Sequence, residues 1–220
     1  MEIFPAIAAG RPDDAPIAPI LDGMSESEIA HHRNDYRRKM EGMLREPIGD
    51  RIHLDKNPTL ALFLPVLLRL FPATRTIIAI RDPRDVVLSC YLRYLPLNPV
   101  SVSFLTPERA AKRYTLDMLG WLKYREQMAS PWLEVRYEDA VADLPAVARK
   151  TLEFLDLPWD DAVLGYRERA RTRSVLSPTY ESVSKPVYST AIGRWRNYEK
   201  QLGPVMEELK PYLSEFGYAD

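Results

Sequence analysis

Apolar positions along the chain fall into two rhythms. Thr76–Ile80 (TIIAI) is a short unbroken run rich in β-branched residues, the pattern of a strand buried on both faces, and Trp132–Arg136 (WLEVR) is a second strand candidate. A third, residues 51–56 (RIHLDK), reads as a short strand ending at Asn57-Pro58. Elsewhere the spacing is helical. Residues 25–44 place Ile29, Tyr36, Met40 and Met43 on one side, with Ser25 to cap the helix and Glu28 at capping-box distance. Residues 107–128 repeat through Ala111, Tyr114, Met118 and Trp121, and residues 144–155 form an amphipathic helix. A closing helix over 203–218 turns Met206, Leu209, Leu213 and Phe216 inward. Residues 60–71 are apolar throughout apart from Arg69, with Pro58 and Pro65 each starting a helical turn. Residues 2–9 read as the end of a helix, and RPDDAPIAP after them as a loop.

The chain is organised around residues 75–94, RTIIAIRDPRDVVLSCYLRY. The strand runs straight into a helix, because Asp82 offers a capping oxygen and Pro83 fits the first helical position. Asp85, Ser89 and Arg93 recur every four residues and share a face, while Val86, Val87, Cys90, Tyr91 and Tyr94 supply the core side. Arg81 stands at the carboxyl end of the strand, where open α/β sheets bind ligands. Arg81, Ser89 and Arg93 together can grip a phosphate, since guanidinium offers a fixed fork of donors. The alternative from spacing alone is that Asp82, Arg84 and Asp85 make surface ion pairs while Ser89 fills a small space.

Composition narrows the classes. Thirty basic and 31 acidic residues in 220, with pI near 6.3, leave no global charge to recruit nucleic acid or an anionic membrane. One cysteine excludes an internal disulfide, and Cys90 reads as a packed small residue. No apolar run approaches the ~20 residues that span a bilayer. The start lacks the basic and long apolar regions of a signal peptide, so the expected location is cytoplasmic. His31 and His32 are adjacent and point apart, and with no further His or Cys cluster no metal site is expected. The Pro-rich stretch LPLNPVSVSFLTP serves equally as a substrate lid or a plain connector. Arg167, Arg169, Arg171 and Arg173 spread around a helix axis and read as solvated charge.

RDPRDVVLS resembles the 3′-phosphate-binding segment of sulfotransferases that use 3′-phosphoadenosine 5′-phosphosulfate (PAPS), in which an arginine is followed eight residues later by a serine. Arg81 and Ser89 hold those places. Arg93 stands where the tyrosylprotein sulfotransferases and their bacterial relatives add an arginine. DKNP is similar to the lysine-containing turn of that group, which makes Lys56 the residue that assists sulfuryl transfer. Tyr137, in YED after the late strand, matches a tyrosine near the cofactor's nucleoside. SPTYESVSKPVYSTAIGRWRNYEK is similar to a segment that folds over the cofactor. There Thr179 takes the place of a catalytic serine and keeps its hydroxyl, and Lys185, Tyr188 and Arg194 fall on the cofactor-binding stretch.

The resemblance implies an α/β fold, a P-loop-nucleotide-hydrolase-like parallel sheet flanked by helices. The family opens with a strand and a glycine- and Ser/Thr-rich loop for the 5′-phosphosulfate, and no such loop occurs among these 220 residues. The expectation is one sulfotransferase domain over residues 1–220, N-terminally truncated, without its first strand, its phosphate loop and the glutamate base on the following helix. The implied activity moves a sulfuryl group from PAPS, with no metal, to a small-molecule, carbohydrate, lipid or peptide hydroxyl, and this fragment could lack turnover. A non-catalytic module binding 3′-phosphoadenosine nucleotides is the alternative. A nucleotide kinase is disfavoured because GxxxxGK[ST] is absent. Oligomeric state is not legible.

Overall fold

A computed structural model describes Ile7 and residues 16–56, 60–93, 95–165 and 189–219. The elements run α1 (Ile17–Asp22), α2 (Glu26–Leu44), a 3-10 turn (Leu60–Phe63), α3 (Leu64–Leu70), β1 (Thr76–Ile80), α4 (Pro83–Leu92), a 3-10 turn (Ser101–Phe104) and α5 (Pro107–Gln127). β2 (Trp132–Arg136), α6 (Tyr137–Ala142) and α7 (Leu144–Phe154) follow, and after further 3-10 turns α8 (Glu199–Leu202) and α9 (Met206–Glu215). The chain divides into two compact units, one formed by residues 1–75 with 119–131, the other by 76–118 with 132–220.

In the first unit the capping box at α2 forms as expected, with the Ser25 hydroxyl accepting from the Glu28 amide and Glu28 accepting from the Ser25 amide. Ile29 and Tyr36 of α2 pack with Ile20 and Leu21 of α1 and Val66 and Leu70 of α3. α1 begins inside the stretch expected to be a loop, because Ile20 and Leu21 give it a side to bury. Arg33 donates to the Leu70 carbonyl, tying α2 to the free end of α3. The rings of His31 and His32 meet edge to face at 5.4 Å rather than pointing apart.

The strand expected at residues 51–56 does not form. Its backbone is extended but joins no ladder. His53 and Asp55 face inward, while Ile52, Leu54 and Lys56 are exposed, so the polar pair and not the apolar one meets the protein. The segment is held by side chains instead. The buried Tyr36 hydroxyl donates to Asp55 Oδ2 at 2.8 Å and lies 3.3 Å from His53 Nε2. The hydroxyl has one proton and gives it to the carboxylate, so the histidine contact requires Nε2–H as donor. Burial and Asp55 together push the Tyr36 phenol well above its usual range.

The second unit is built on β1 and β2, which pair in parallel with Thr76 opposite Trp132 and Ile80 opposite Arg136. Both strands span the expected residues, and this pairing makes the fold α/β. The register brings the two carboxyl ends level, so that Arg81 and Tyr137, each the next residue, emerge side by side. Val87 and Leu88 of α4 pack against Ala110, Ala111 and Tyr114 of α5 and against Trp195, Leu202, Val205 and Leu209. On α4, Val87 and Leu88 are buried and Val86 packs against the same cluster; Tyr91, expected on the core side, is exposed, and Tyr94 lies outside the described residues. On α9, Leu209, Leu213 and the following Phe216 are buried as expected. Among the described residues no helix is long and apolar enough to cross a membrane.

Tyr36→Phe keeps the ring contact to Phe71 at 5.3 Å and loses only the hydroxyl. It is expected to cost about 1.5–3 kcal/mol, the range for a hydrogen bond to a charged group, read as a lower urea midpoint at unchanged slope. An unchanged midpoint would show that Asp55 and His53 are served equally well by water.

Candidate functional site

The site is built where β1 gives way to α4. Asp82 caps the helix by accepting from the Arg84 amide at 2.9 Å, and its carboxylate also takes Nε and Nη2 of Arg84 at 3.0 and 2.9 Å. Asp82, Arg84 and Asp85 were surface ion-pair candidates by spacing, but all three are buried, Arg84 at 2% and Asp85 at 1% exposure. Arg84 can be buried because its charge is matched by Asp82 and its plane lies 3.9 Å from the Trp195 ring centre.

Asp85 does something the sequence pattern did not disclose. Its two oxygens accept the backbone amides of Gly193 at 2.7 Å and Trp195 at 2.9 Å, more than a hundred residues away. Burial pushes the Asp85 carboxyl upward, against the opposing pull of those two amides and of Arg81. Gly193 has φ +67, a left-handed backbone conformation that calls for glycine; the nearest atom to a Cβ there would be the movable end of exposed Arg196. The 189–198 segment is thereby fixed at the mouth of β1.

Arg81 lies against this segment. Its guanidinium covers the Tyr137 ring at 4.6 Å, donates through Nη2 to the Ala191 carbonyl, and comes within 3.8 Å of Asp85 Oδ2. Its Nε is buried with no acceptor among the described residues. Ser89 is half-buried one turn beyond Asp85, and Arg93, also half-buried, is the residue at which the α4 backbone turns extended. Neither Ser89 nor Arg93 has a hydrogen-bond or ion-pair partner among the described residues. Burial pushes the Cys90 thiol, next to Ser89, up, with Arg93 and Arg81 pulling the other way.

The structure thus brings Arg81, Tyr137, Ser89 and Arg93 to one region of the second unit. Lys56 lies in the first unit, exposed at the end of the extended 51–56 segment. Arg194 opens the 3-10 turn Arg194–Tyr198 and is exposed; it is Gly193 and Trp195 on either side of it that engage Asp85. Thr179, Lys185, Tyr188 and the arginines at 167–173 lie outside the described residues. Among the described residues no group of His, Cys, Asp and Glu is gathered as a metal would require. Asp85 was placed on the phosphate-facing side by its period, and only its position four residues after Arg81 hinted at a structural acid.

Comparison with known proteins supplies the family. Residues 9–161 match the model of the sulfotransferase family, and the chain belongs to it. It is similar to protein-tyrosine sulfotransferase A of Caenorhabditis elegans, 27% identical over 180 residues covering 77% of this chain and 46% of that protein. Protein-tyrosine sulfotransferase 1 of Danio rerio is 27% identical over 177 residues, covering 74% of this chain and 47% of that protein. An uncharacterized protein of Aquifex aeolicus (strain VF5) is 28% identical over 158 residues, 71% of this chain and 20% of that protein. The chain spans less than half the length of these curated relatives. Among solved structures, the sulfotransferase domain from the curacin biosynthetic pathway shares the fold, with a TM-score of 0.56 at 19% identity over 90% of this chain and 76% of that one.

Asp85→Asn leaves one acceptor for two amides and turns a donor toward the other, an expected loss of about 1–3 kcal/mol. Gly193→Ala, forced into the left-handed region, is expected to lose about 1–2 kcal/mol. Both are read from denaturant midpoints, and wild-type values for both would mean that the 189–198 segment is not held by this acid.

Proposed function

We propose that this chain takes part in sulfuryl transfer from PAPS to a hydroxyl acceptor. The observation that carries the reading is Arg81 at the carboxyl end of a parallel strand, over the Tyr137 ring, with Ser89 and Arg93 following at four-residue steps from Asp85 along α4. Arg93, half-buried and without a hydrogen-bond or ion-pair partner among the described residues, is the spare guanidinium that a dianionic 3′-phosphate needs. Ser89 adds a hydroxyl on the same face, and a 3′-phosphate is what separates this nucleotide from an adenosine 5′-phosphate.

Tyr137 sits under Arg81 in a position to meet the nucleoside, its ring already committed to the guanidinium. Lys185, Tyr188 and Arg194 extend the nucleotide site by resemblance. Lys56 and Thr179 act on the transferring group: the ammonium stabilises the bridging oxygen as the sulfur–oxygen bond to the 5′-phosphate breaks, and the hydroxyl hydrogen-bonds the sulfuryl oxygens. The names of the curated relatives favour a tyrosine hydroxyl of a protein or peptide as acceptor. The family membership supports sulfuryl transfer as the chemistry, with PAPS as donor and no metal required.

Calorimetric titration tests the nucleotide site. Adenosine 3′,5′-bisphosphate is expected to bind at least about tenfold more tightly than adenosine 5′-phosphate, the yield of one or more charge-assisted hydrogen bonds, and Arg81→Ala to erase the difference. Equal affinity of the wild type for both nucleotides rejects the site. In a radiolabelled transfer assay, Lys56→Ala is expected to lower kcat by about 10²–10³ with little change in KM for the donor, as for loss of a transition-state donor. Selective binding without turnover would instead identify a nucleotide-binding module.

A further inference from the structure

Beyond the last rung of the ladder the two strand ends stay joined. Backbone pairing of β1 with β2 stops at Ile80 and Arg136, and the next residue on each side is one of the stacked pair, Arg81 and Tyr137. One residue further on, Glu138 Oε1 accepts the Asp82 amide at 3.1 Å, and that amide belongs to the peptide unit that carries the Arg81 carbonyl. A side-chain carboxylate thus supplies the rung that the backbones no longer make. Asp82 is 7% exposed, so water is a poor substitute for this acceptor.

The second oxygen of Glu138 is also engaged. Glu138 Oε2 accepts from the Tyr218 hydroxyl at 2.8 Å, and burial together with Glu138 holds that phenol well above its usual range, so Tyr218 stays the donor. Tyr218 is itself fixed. Its ring lies 4.2 Å from the Arg136 guanidinium, which donates to the Phe216 carbonyl at 3.1 Å, and Arg84 donates to the Ala219 carbonyl at 2.7 Å. Glu138 is therefore gripped on one oxygen by the junction of β1 with α4 and on the other by the residues that follow α9. A negative charge one residue from Tyr137 works against an anionic ligand, so any service it gives a nucleotide there comes through geometry and not through charge.

We propose that Glu138 is a positioning residue for the nucleotide site: by holding the peptide between Arg81 and Asp82 level with Tyr137, it sets the direction in which the Arg81 side chain leaves the strand. The assignment rests on the reading of Arg81 as a ligand of the 3′-phosphate. A guanidinium aimed before its ligand arrives loses less freedom on binding, and the benefit goes to the nucleotide that carries a 3′-phosphate and not to one that lacks it. Removing the Glu138 side chain takes away no donor from the site. What it takes away is the alignment of one.

The test titrates the full chain and its variants with adenosine 3′,5′-bisphosphate and with adenosine 5′-phosphate by calorimetry, and follows the melting temperature of each. Glu138→Ala is expected to bring the wild-type preference for the bisphosphate from about tenfold down to about threefold or less, through lost preorganisation. Glu138→Gln keeps an oxygen for the Asp82 amide and can donate its own N–H to the Tyr218 oxygen, so it is expected to retain the preference. Tyr218→Phe keeps the ring against Arg136 and frees one oxygen of Glu138; it is expected to lower the preference at least about twofold, and it stands in should Glu138→Ala not fold. A lower melting temperature with the preference intact in Glu138→Ala, or in Tyr218→Phe where it stands in, makes Glu138 a stabilising residue only and overturns the proposal. Equal loss of preference in Glu138→Gln and Glu138→Ala overturns it as well, because charge would then be the cause. A wild type that binds both nucleotides alike rejects the nucleotide reading and this role with it, whereas failure of the Glu138 variants alone leaves that reading standing.

Discussion

One buried carboxylate holds the second unit in its working shape. Asp85 spends both oxygens on the amides of Gly193 and Trp195, and through them a segment from late in the chain is laid against the helix that follows β1. A charge in that position is costly unless its hydrogen bonds are made, and the cost is what makes the arrangement specific: no other placement of the segment supplies both amides. Trp195 then joins the apolar cluster with Val87 and Leu88, so a hydrogen-bonded acid and a packed indole both fasten the same segment to α4.

Around this anchor, arginines are seated on rings rather than on acids alone. Arg81 lies on Tyr137, Arg84 on Trp195 and Arg136 on Tyr218. Stacking fixes the plane of each guanidinium, so these cations are held in one orientation instead of being mobile. This explains how a chain with a nearly balanced total charge can still hold locally cationic sites. The membership in the sulfotransferase family and the parallel pairing of β1 and β2 are consistent with donors gathered for an anionic co-substrate.

The elements that packing dictates were plain in the sequence. β1 follows its β-branched run, β2 spans the expected WLEVR, α2 starts at its capping box, and α5 and α9 follow their apolar period. Residues 51–56 failed as a strand because a ladder needs a partner edge, and the inward residues there are His53 and Asp55, which a tyrosine hydroxyl satisfies without any backbone pairing. Arg81, Ser89 and Arg93 could be paired by their spacing, and Tyr137 by its place after β2. Asp85 and Arg84 could not be read correctly, because their burial depends on amides and an indole contributed from beyond residue 190, and no local pattern records a contact of that range.

The level pairing of β1 and β2 also bears on how the chain can change in length. Each strand end delivers the very next residue to the cluster, so one extra residue within either strand would slide its exit by about 3.3 Å and turn alternate side chains to the opposite face of the sheet. Exposed connections away from these ends can absorb insertions at little cost. Insertions and engineered tags therefore belong in exposed connections, while the two strand-to-helix junctions form a fixed gauge.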